Sequence, residues 1–423
     1  MENTDLGEQL RRLGLHRGAG QIRSRSQRRE HAIEALLPGE VVDTDDGSFF
    51  HHREIHPLDY RHGHHVLADL LAHSPQSQAL LAQDEGLASV DFQRLAFVDT
   101  ETTGLAGGTG TYAFLVGVGV FDEERFTIHQ FFMRDFHEEP ALMRALGGLL
   151  DELEAIVSFN GKSFDLPLLE TRFLMTRQQP RLIDAPHLDL LPAARRFWKY
   201  RLASCALSSL EAEILGVKRT QDDVPGWRIP MLYHEYLRSG DARQMPGIFY
   251  HNAQDILSLV TLAARMCDLL TAPLPLEGDV PGEDLYGLGR LFRDLGQTDR
   301  AEAAYVQAVQ AGASARTHEM AMHDLAYLLK RQERRGEALP WWQRLAETAG
   351  AVYACEELAK HYEWQDEDLA RALAWTQQGL ALAEGWPPGA QRRETLAELE
   401  HRKARLTRKL TAPESPSGEP AEP

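Results

Sequence analysis

The chain has 423 residues, a formal net charge of −18, and 43% hydrophobic and 26% charged residues. This length allows two or three domains, and the composition is that of an ordinary globular protein. The acidic balance disfavours a protein that coats nucleic acid with its whole surface, but it is compatible with a local basic groove. Three cysteines without CxxC spacing argue against a zinc ribbon or a disulfide framework and indicate a reducing, cytoplasmic location.

Neither the N-terminus nor the interior of the chain reads as a membrane segment. The sequence MENTDLGEQLRR lacks the apolar core of a signal peptide, and the longest apolar stretch, from Tyr112 to Phe121, is too short to span a bilayer. We therefore expect no membrane partner. Residues 1–35 are rich in arginine, and we interpret them as a basic, flexible arm, with a phosphate-tracking arm as the alternative.

Residues 36–90 are expected to form an N-terminal extension that packs on the domain after it. From Val41 to His65 the chain reads as a short strand, a DDG turn and a histidine-rich segment. Because the histidines lack a helical HxxxH spacing and have no paired cysteine, we interpret the segment as a surface loop rather than a metal site.

Residues 91–270 alternate strand and helix patterns, which predicts an α/β domain with a mixed sheet flanked by helices. Strands are predicted at five places, the second and third forming a hairpin: Leu95–Asp99, Tyr112–Phe121, Arg125–Met133, Ala155–Phe159 and Leu182–Asp189. Helices are predicted at Pro140–Leu153, Leu166–Thr176, Leu190–Trp198, Leu207–Leu215 and Ala253–Leu270.

The remainder of the chain is predicted to be helical after a linker. Residues 271–284 are rich in proline, glycine and acidic residues, which is typical of a linker. Residues 285–411 resemble tetratricopeptide repeats, because small and apolar residues recur at matching helical positions, and this resemblance implies a protein partner. Residues 412–423 have the composition of a disordered tail.

Four acidic residues carry the chemistry. Asp99 and Glu101 stand two apart at the end of a predicted strand, so both carboxylates face one side of the sheet. Adjacent anions repel unless a cation lies between them. The segment that follows, TTGLAGGTGT, contains threonine hydroxyls and several glycines. At the glycines a nucleotide could approach the backbone closely.

The other two acids begin helices. Asp165 follows a strand in NGKSFD, where capping of the next helix is an alternative role. Asp255 begins an apolar helix, and His251, four residues earlier, shares its face. Tyr250, five residues earlier, would be rotated by about 140°.

In this order, the motifs FVDTETTGL, FNGKSFDLP and YHNAQDILSL resemble the DEDD, or DnaQ-like, 3′–5′ exonuclease superfamily, which has a ribonuclease-H-like fold. The segments HLDLLPAARRFWKYRLASCALSSLE and DVPGWRIPMLY are similar to the YprB-like subgroup. The resemblance covers about residues 40–270. It implies hydrolysis of phosphodiester bonds at a 3′ end, with two Mg²⁺ or Mn²⁺ ions held by Asp99, Glu101, Asp165 and Asp255.

One departure from the family leaves the general base open. The histidine subtype places histidine five residues before the last aspartate, where this chain has Tyr250, and the tyrosine subtype places tyrosine four before it, where this chain has His251. We favour His251, because a neutral imidazole can take a proton from water near pH 7. Tyr250 would then stack on a base.

The remaining candidates concern the nucleic-acid partner. The substrate-binding candidates are Thr103, Leu105, Asn160, Lys162 and Tyr250. The segment RRFWKYR, residues 195–201, interleaves cations with aromatic residues, as a single-strand path would, or as an amphipathic helix would. A structure-selective endonuclease, a non-catalytic nucleic-acid-binding module and a scaffold acting through its repeats are the alternatives. The choice between RNA and DNA stays open.

Overall fold

The computed structural model describes residues 31–104, 109–220 and 222–411. Their contacts divide them into two units. The first comprises the described residues up to Arg195 together with Ser204–Thr271, and the second comprises Arg196–Ala203 and the described residues from Ala272. Each helix in these ranges is too short or too polar to cross a lipid bilayer.

The first unit is built on a seven-stranded mixed sheet of order β1-β2-β7-β6-β5-β8-β9. All neighbours are antiparallel except β5–β8 and β8–β9, which are parallel. Strands β3 and β4 form a separate ribbon. The strands are β1 Glu40–Thr44, β2 Gly47–Pro57, β3 Arg61–His62, β4 His65–Val66, β5 Leu95–Thr102, β6 Ala113–Phe121, β7 Arg125–Phe132, β8 Ala155–Ser158 and β9 His187–Asp189.

Helices cover the two faces of this sheet. Helix α4 packs on one face, against β1, β2 and β7, and the long helix α9 packs on the other face, against β5, β6 and β7. The helices are α1 Ile33–Leu36, α2 Ala68–Leu71, α3 Pro75–Ala82, α4 Glu139–Leu150, α5 Asp165–Met175, α6 Leu190–Trp198, α7 Leu207–Leu210, α8 Ile229–Ser239 and α9 Met245–Thr271. This arrangement confirms the predicted ribonuclease-H-like mixed sheet flanked by helices.

Glycines in β6 let α9 approach the sheet closely. A Cβ at Gly117 would overlap the side-chain oxygen of Asn252 and lie 2.5 Å from Ile256 Cδ1. A Cβ at Gly119 would lie 2.6 Å from Ile256 Cγ2. Real Cβ atoms do not approach other atoms this closely, so the run GVGV in β6 provides the space that brings α9 over β5.

The first part of the histidine-rich segment, with His51, His52 and His56, belongs to strand β2, and His62 and His65 lie in β3 and β4, so the predicted surface loop is wrong. Strand β2 pairs with β7 from Phe50↔Phe132 to Pro57↔Arg125, which satisfies its backbone groups within the sheet. The rings of His51 and His129 stack with centroids 5.3 Å apart, and burial lowers the pKa of both to about 4. These histidines therefore pack as neutral rings inside the sheet. The sequence-based interpretation treated them as polar surface residues and so missed the strand.

Three element boundaries differ from those predicted. The strand expected at Leu182–Asp189 is reduced to β9, which is preceded by a 3₁₀ turn at Arg181–Asp184 and by Pro186. The helix expected at Leu207–Leu215 is α7 followed by a π-helical turn, Glu211–Leu215. Helix α9 begins at Met245, eight residues before the predicted start.

The second unit is all-helical, as predicted for the C-terminal region. Large apolar and aromatic residues in the region that resembles tetratricopeptide repeats, including Leu288, Tyr305, Leu325 and Trp342, are buried. The helices are α10 Gly282–Asp294, α11 Thr298–Gln310, α12 Ala315–Arg331, α13 Arg335–Thr348, α14 Val352–Trp364, α15 Leu369–Glu384 and α16 Ala390–Thr411.

The segment 195–201 does not provide the proposed aromatic path. Phe197 and Trp198 are each only 1% exposed, so neither ring is open to a nucleobase. Within the second unit, Arg201 forms an ion pair with Asp284 at 2.8 Å, and Arg290 donates to the hydroxyl of Tyr200. The cations and aromatic rings of this segment take part in packing and ion pairs. This agrees with the amphipathic helix that the sequence pattern offered as the alternative.

Candidate acidic active site

Asp99 and Glu101 lie on the part of β5 that faces α9. The strand continues to Thr102, so the two carboxylates project to the same face, as the spacing predicts. Asn252 of α9 is fully buried and donates to Asp99 twice, to the carboxylate at 2.8 Å and to the backbone carbonyl at 3.1 Å. Gln130 donates in turn to the Asn252 side-chain oxygen at 2.8 Å, so hydrogen bonds fix both the nitrogen and the oxygen of the Asn252 amide.

The environment of these two acids favours their neutral forms. Burial, followed by the charges of Asp255 and Asp165, raises the pKa of Asp99 well above its usual range. Burial, followed by the charge of Asp99, does the same to the pKa of Glu101. Close carboxylates that interact this way are poised to accept a cation, because ionisation becomes favourable when a positive charge lies between them.

Asp165 is the first residue of α5, which follows the strand β8 that pairs with β5. Thr100 donates its hydroxyl to Asp165 at 2.5 Å, so the carboxylate is turned towards β5. No side chain caps this helix, which leaves the capping alternative for Asp165 without support. Burial raises the pKa of Asp165 to about 6 despite the hydrogen bond from Thr100.

Asp255 lies on α9 and forms an ion pair with Arg219. Arg219 also forms a two-pronged pair with Glu211, donating from Nε at 2.8 Å and from Nη2 at 2.7 Å. Burial alone would lower the pKa of Arg219, but the hydrogen bond to Glu211 and the charge of Asp255 raise it above its ordinary value. The Asp255 side of the site therefore contains a permanently charged guanidinium.

His251 and Tyr250 point in different directions. Nδ1 of His251 is 2.7 Å from Asp223 Oδ1, and Nε2 is 3.7 Å from Asp255 Oδ2. The hydroxyl of Tyr250 accepts a hydrogen bond from the backbone N–H of Thr220 at 3.2 Å. His251, and not Tyr250, therefore has its side chain directed at carboxylates, those of Asp223 and Asp255.

The structure thus brings the four predicted acids into one electrostatically coupled group. In the described ranges, no three histidine, cysteine, aspartate or glutamate side chains are placed so that they could hold a metal ion. Carboxylate oxygens are nevertheless the donors that a hard divalent cation prefers, and such a cation would offset both the burial and the neighbouring negative charges that raise the pKa of Asp99 and Glu101. The donor set therefore fits Mg²⁺ or Mn²⁺ in its chemistry, while its present spacing does not bring three donors around one point.

The predicted substrate-binding residues have mixed surroundings. The hydroxyl of Thr103 accepts from the backbone of Tyr112 at 3.0 Å, so this hydroxyl closes the base of the loop between them. Asn160 has a left-handed backbone with φ of 65°, and Lys162 is exposed. The backbone N–H groups of both residues donate to Asp189, at 2.7 and 3.3 Å. Leu105 lies outside the described residues.

Six side chains that support the acids were not predicted from the sequence: Thr100, Asp189, Glu211, Arg219, Asp223 and Asn252. Asn252 could have been found, since it stands three residues before Asp255 and shares its helical face. No such signal existed for Arg219, which is 36 positions from Asp255 and reaches it only through the fold.

Comparison with known proteins agrees with this geometry. Residues 96–267 match a family model described as RNase_H superfamily. The chain is also similar to the uncharacterized protein YprB of Bacillus subtilis (strain 168), with 32% identity over 324 residues. That alignment covers 75% of this chain and 76% of YprB. Residues 96–267, which match the family model, include all four acids: Asp99, Glu101, Asp165 and Asp255.

Proposed function

Because the chain belongs to the RNase H superfamily, we propose that it is a metal-dependent 3′–5′ exonuclease that hydrolyses single-stranded or frayed nucleic acid. One observation carries the proposal. The charges of Asp255 on α9 and of Asp165 at the start of α5 both act on Asp99 and Glu101 of β5, and His251 Nε2 lies 3.7 Å from Asp255 Oδ2. Carboxylates and one imidazole directed into a single site are the groups that metal-assisted phosphodiester hydrolysis requires.

In this proposal the four acids are the ligands of two Mg²⁺ or Mn²⁺ ions. Asp99 would contribute to both, Glu101 and Asp255 to one, and Asp165 to the other. Bound ions of this kind lower the pKa of an attacking water and stabilise the leaving oxygen. Asn252 keeps the Asp99 carboxylate in one orientation, and Thr100 does the same for Asp165.

His251 is the proposed general base. Nδ1 of His251 is occupied by Asp223 Oδ1 at 2.7 Å and Arg219 Nη1 at 3.0 Å, so Nε2 is the ring nitrogen left to accept a proton. Nε2 is the ring nitrogen on the Asp255 side, where water would be held by the acids. Tyr250, whose hydroxyl is turned to Thr220, is less suited to this role.

An exposed aromatic residue stands beside the site. Trp227 is 79% exposed, and a Cβ at its neighbour Gly226 would lie 3.7 Å from His251 Nε2. Nucleobases of a single strand stack on exposed aromatic rings regardless of sequence. Trp227 is therefore our candidate for contact with the bases near the scissile bond, and the helical region from Leu285 is proposed to bind a protein partner.

The proposal is tested by comparing wild type with Asp99→Asn and Asp255→Asn on end-labelled single-stranded RNA and DNA in Mn²⁺. We expect each variant to lose at least about a hundredfold in rate, since each removes a charged ligand. Asp122→Asn is the matched control, because this exposed acid lies in the β6–β7 turn. Equal degradation by wild type and both site variants would contradict the nuclease assignment.

Blocking the 3′ end separates exonuclease from endonuclease. An exonuclease should stall on a substrate whose 3′ end is blocked. On the same substrate with a free 3′ end, it should release mononucleotides. Internal cuts in the blocked substrate would instead favour the endonuclease of the same fold.

The general base is tested with a pair of variants. His251→Ala should lower kcat by roughly a hundredfold or more, within the range of a lost general base, whereas Tyr250→Phe should retain kcat. Loss of rate in Tyr250→Phe alone would reverse this assignment.

A further inference from the structure

Arg219 is held in place by a buried carboxylate. Its Nε and Nη2 atoms donate to the two oxygens of Glu211, and the Glu211 side chain is only 3% exposed. Ser258 donates to the same carboxylate at 2.6 Å, and His62 contacts the Ser258 hydroxyl at 2.8 Å. A planar, two-pronged pair anchored in this way leaves the guanidinium little freedom.

The rest of the guanidinium faces the proposed catalytic residues. Nη2, besides Glu211, contacts Asp255 Oδ1. Nη1 lies 3.0 Å from His251 Nδ1 and 3.6 Å from Asp223 Oδ2. One fixed cation therefore contacts the last acid of the site and both members of the Asp223–His251 pair.

We propose that Arg219 is a built-in positive charge of the acidic site, which positions Asp255 and weakens the binding of divalent cations to the substrate-free protein. The inference rests on the proposed role of the acids as cation ligands. A guanidinium on Asp255 Oδ1 leaves Oδ2 for an ion and repels any cation that approaches from this side. Arg219 is a positioning residue, since Glu211 fixes the guanidinium and its effect on a bound cation is exerted through Asp255.

A purely structural role for Arg219 predicts different behaviour. If the guanidinium only neutralised Glu211, its removal would lower stability and leave cation affinity unchanged or reduced. Because Nη2 is shared between Glu211 and Asp255, we expect its removal to increase the negative potential at the site. The two roles therefore predict opposite changes in cation affinity.

The test is calorimetric titration of Mn²⁺ into the full chain without nucleic acid. Arg219→Met should bind Mn²⁺ roughly tenfold more tightly than wild type, because it removes a contacting positive charge. Arg219→Lys keeps the charge and should stay within about threefold of wild type. Arg125→Met, which removes an exposed arginine elsewhere in the same unit, controls for net charge and should not change the affinity.

A folded Arg219→Met variant with unchanged or weaker Mn²⁺ binding would overturn the inference while leaving the nuclease proposal intact. Absence of Mn²⁺ binding in wild type would instead overturn the proposed function, and this inference with it. If Arg219→Met does not fold, the double variant Glu211→Gln with Arg219→Met removes both buried charges. It should still bind Mn²⁺ more tightly than wild type, by a smaller factor, because the charge next to Asp255 is gone.

Discussion

The side-chain amide of Asn252 donates to both the carboxylate and the backbone carbonyl of Asp99, which joins helix α9 to strand β5 at the acidic site. The amide is fully buried and its oxygen is also bonded, to Gln130. The orientation of Asp99 is therefore determined by a residue that would not touch the substrate.

Replacing Asn252 with alanine should lower kcat/KM by about 10- to 100-fold, the usual cost of losing the partner of a metal ligand. It should also destabilise the fold by about 1–3 kcal/mol, because the buried amide of Gln130 loses one of its two acceptors and keeps the Phe249 carbonyl. Thr261→Val is a suitable control, since Thr261 is buried in the same helix and its hydroxyl donates to the Leu257 carbonyl of that helix. Activity assays and chemical denaturation measure the two effects, and full activity in Asn252→Ala would exclude this role.

Asp165 should make stability depend on pH. Its pKa is raised from 3.8 to about 6 in the folded protein, so the folded state binds more protons than the unfolded state between these values. The free energy of unfolding that is linked to this group therefore falls as pH rises through this window. Without metal, Asp165→Asn should be close to wild type in stability at pH 4 and more stable by about 3 kcal/mol at pH 7.

Denaturation in a chelator at several pH values measures this difference. Adding Mn²⁺ should raise the stability of wild type at pH 7 more than that of Asp165→Asn. A stability difference between the two proteins that stays constant from pH 4 to pH 7 would contradict the raised pKa.

Gly117→Ala should disrupt the approach of α9. The added methyl group would overlap Asn252 and come within 2.5 Å of Ile256, so helix or strand must shift. We expect a loss of about 1–3 kcal/mol and a marked loss of activity, since the shift separates Asn252 from Asp99. Gly148→Ala in α4 is the control, because no atom lies within 4 Å of its added Cβ and alanine favours helices. Equal thermal midpoints for the two variants would argue against close packing at Gly117.

Arg172 and Glu139 form a nearly buried ion pair between α5 and α4, with Arg172 only 2% exposed. Arg172 also donates to the Thr109 carbonyl at 2.9 Å, close to the glycine-rich segment after Glu101. Arg172→Met should destabilise the fold by about 3–5 kcal/mol, because it leaves Glu139 uncompensated.

The double variant Arg172→Met with Glu139→Gln should recover part of that loss, which a double-mutant cycle in urea can measure. An additive double variant would show that the two side chains do not stabilise each other.

Local patterns were sufficient to predict strands β5 to β8 and helices α4, α5 and α6, together with most of α9. The spacing of Asp99 and Glu101 determines their common face once β5 forms, and the four-residue interval between His251 and Asp255 does the same on α9. Contacts between distant segments were not predictable in this way. Arg219 meets Asp255 only after the π-turn and α9 have packed, and β2 joins the sheet through pairing with β7.

The β1–β2 hairpin has a practical consequence. It lies at the edge of the sheet, with β7 and β6 between it and β5, and Asp45 in its turn is exposed. Cys267 and Cys355 are buried and Cys205 is partly exposed, so in a Cys205→Ser background a cysteine introduced at Asp45 would react with a fluorescent dye more readily than the two that remain. A dye at this position would follow encounters with nucleic acid without touching the carboxylates.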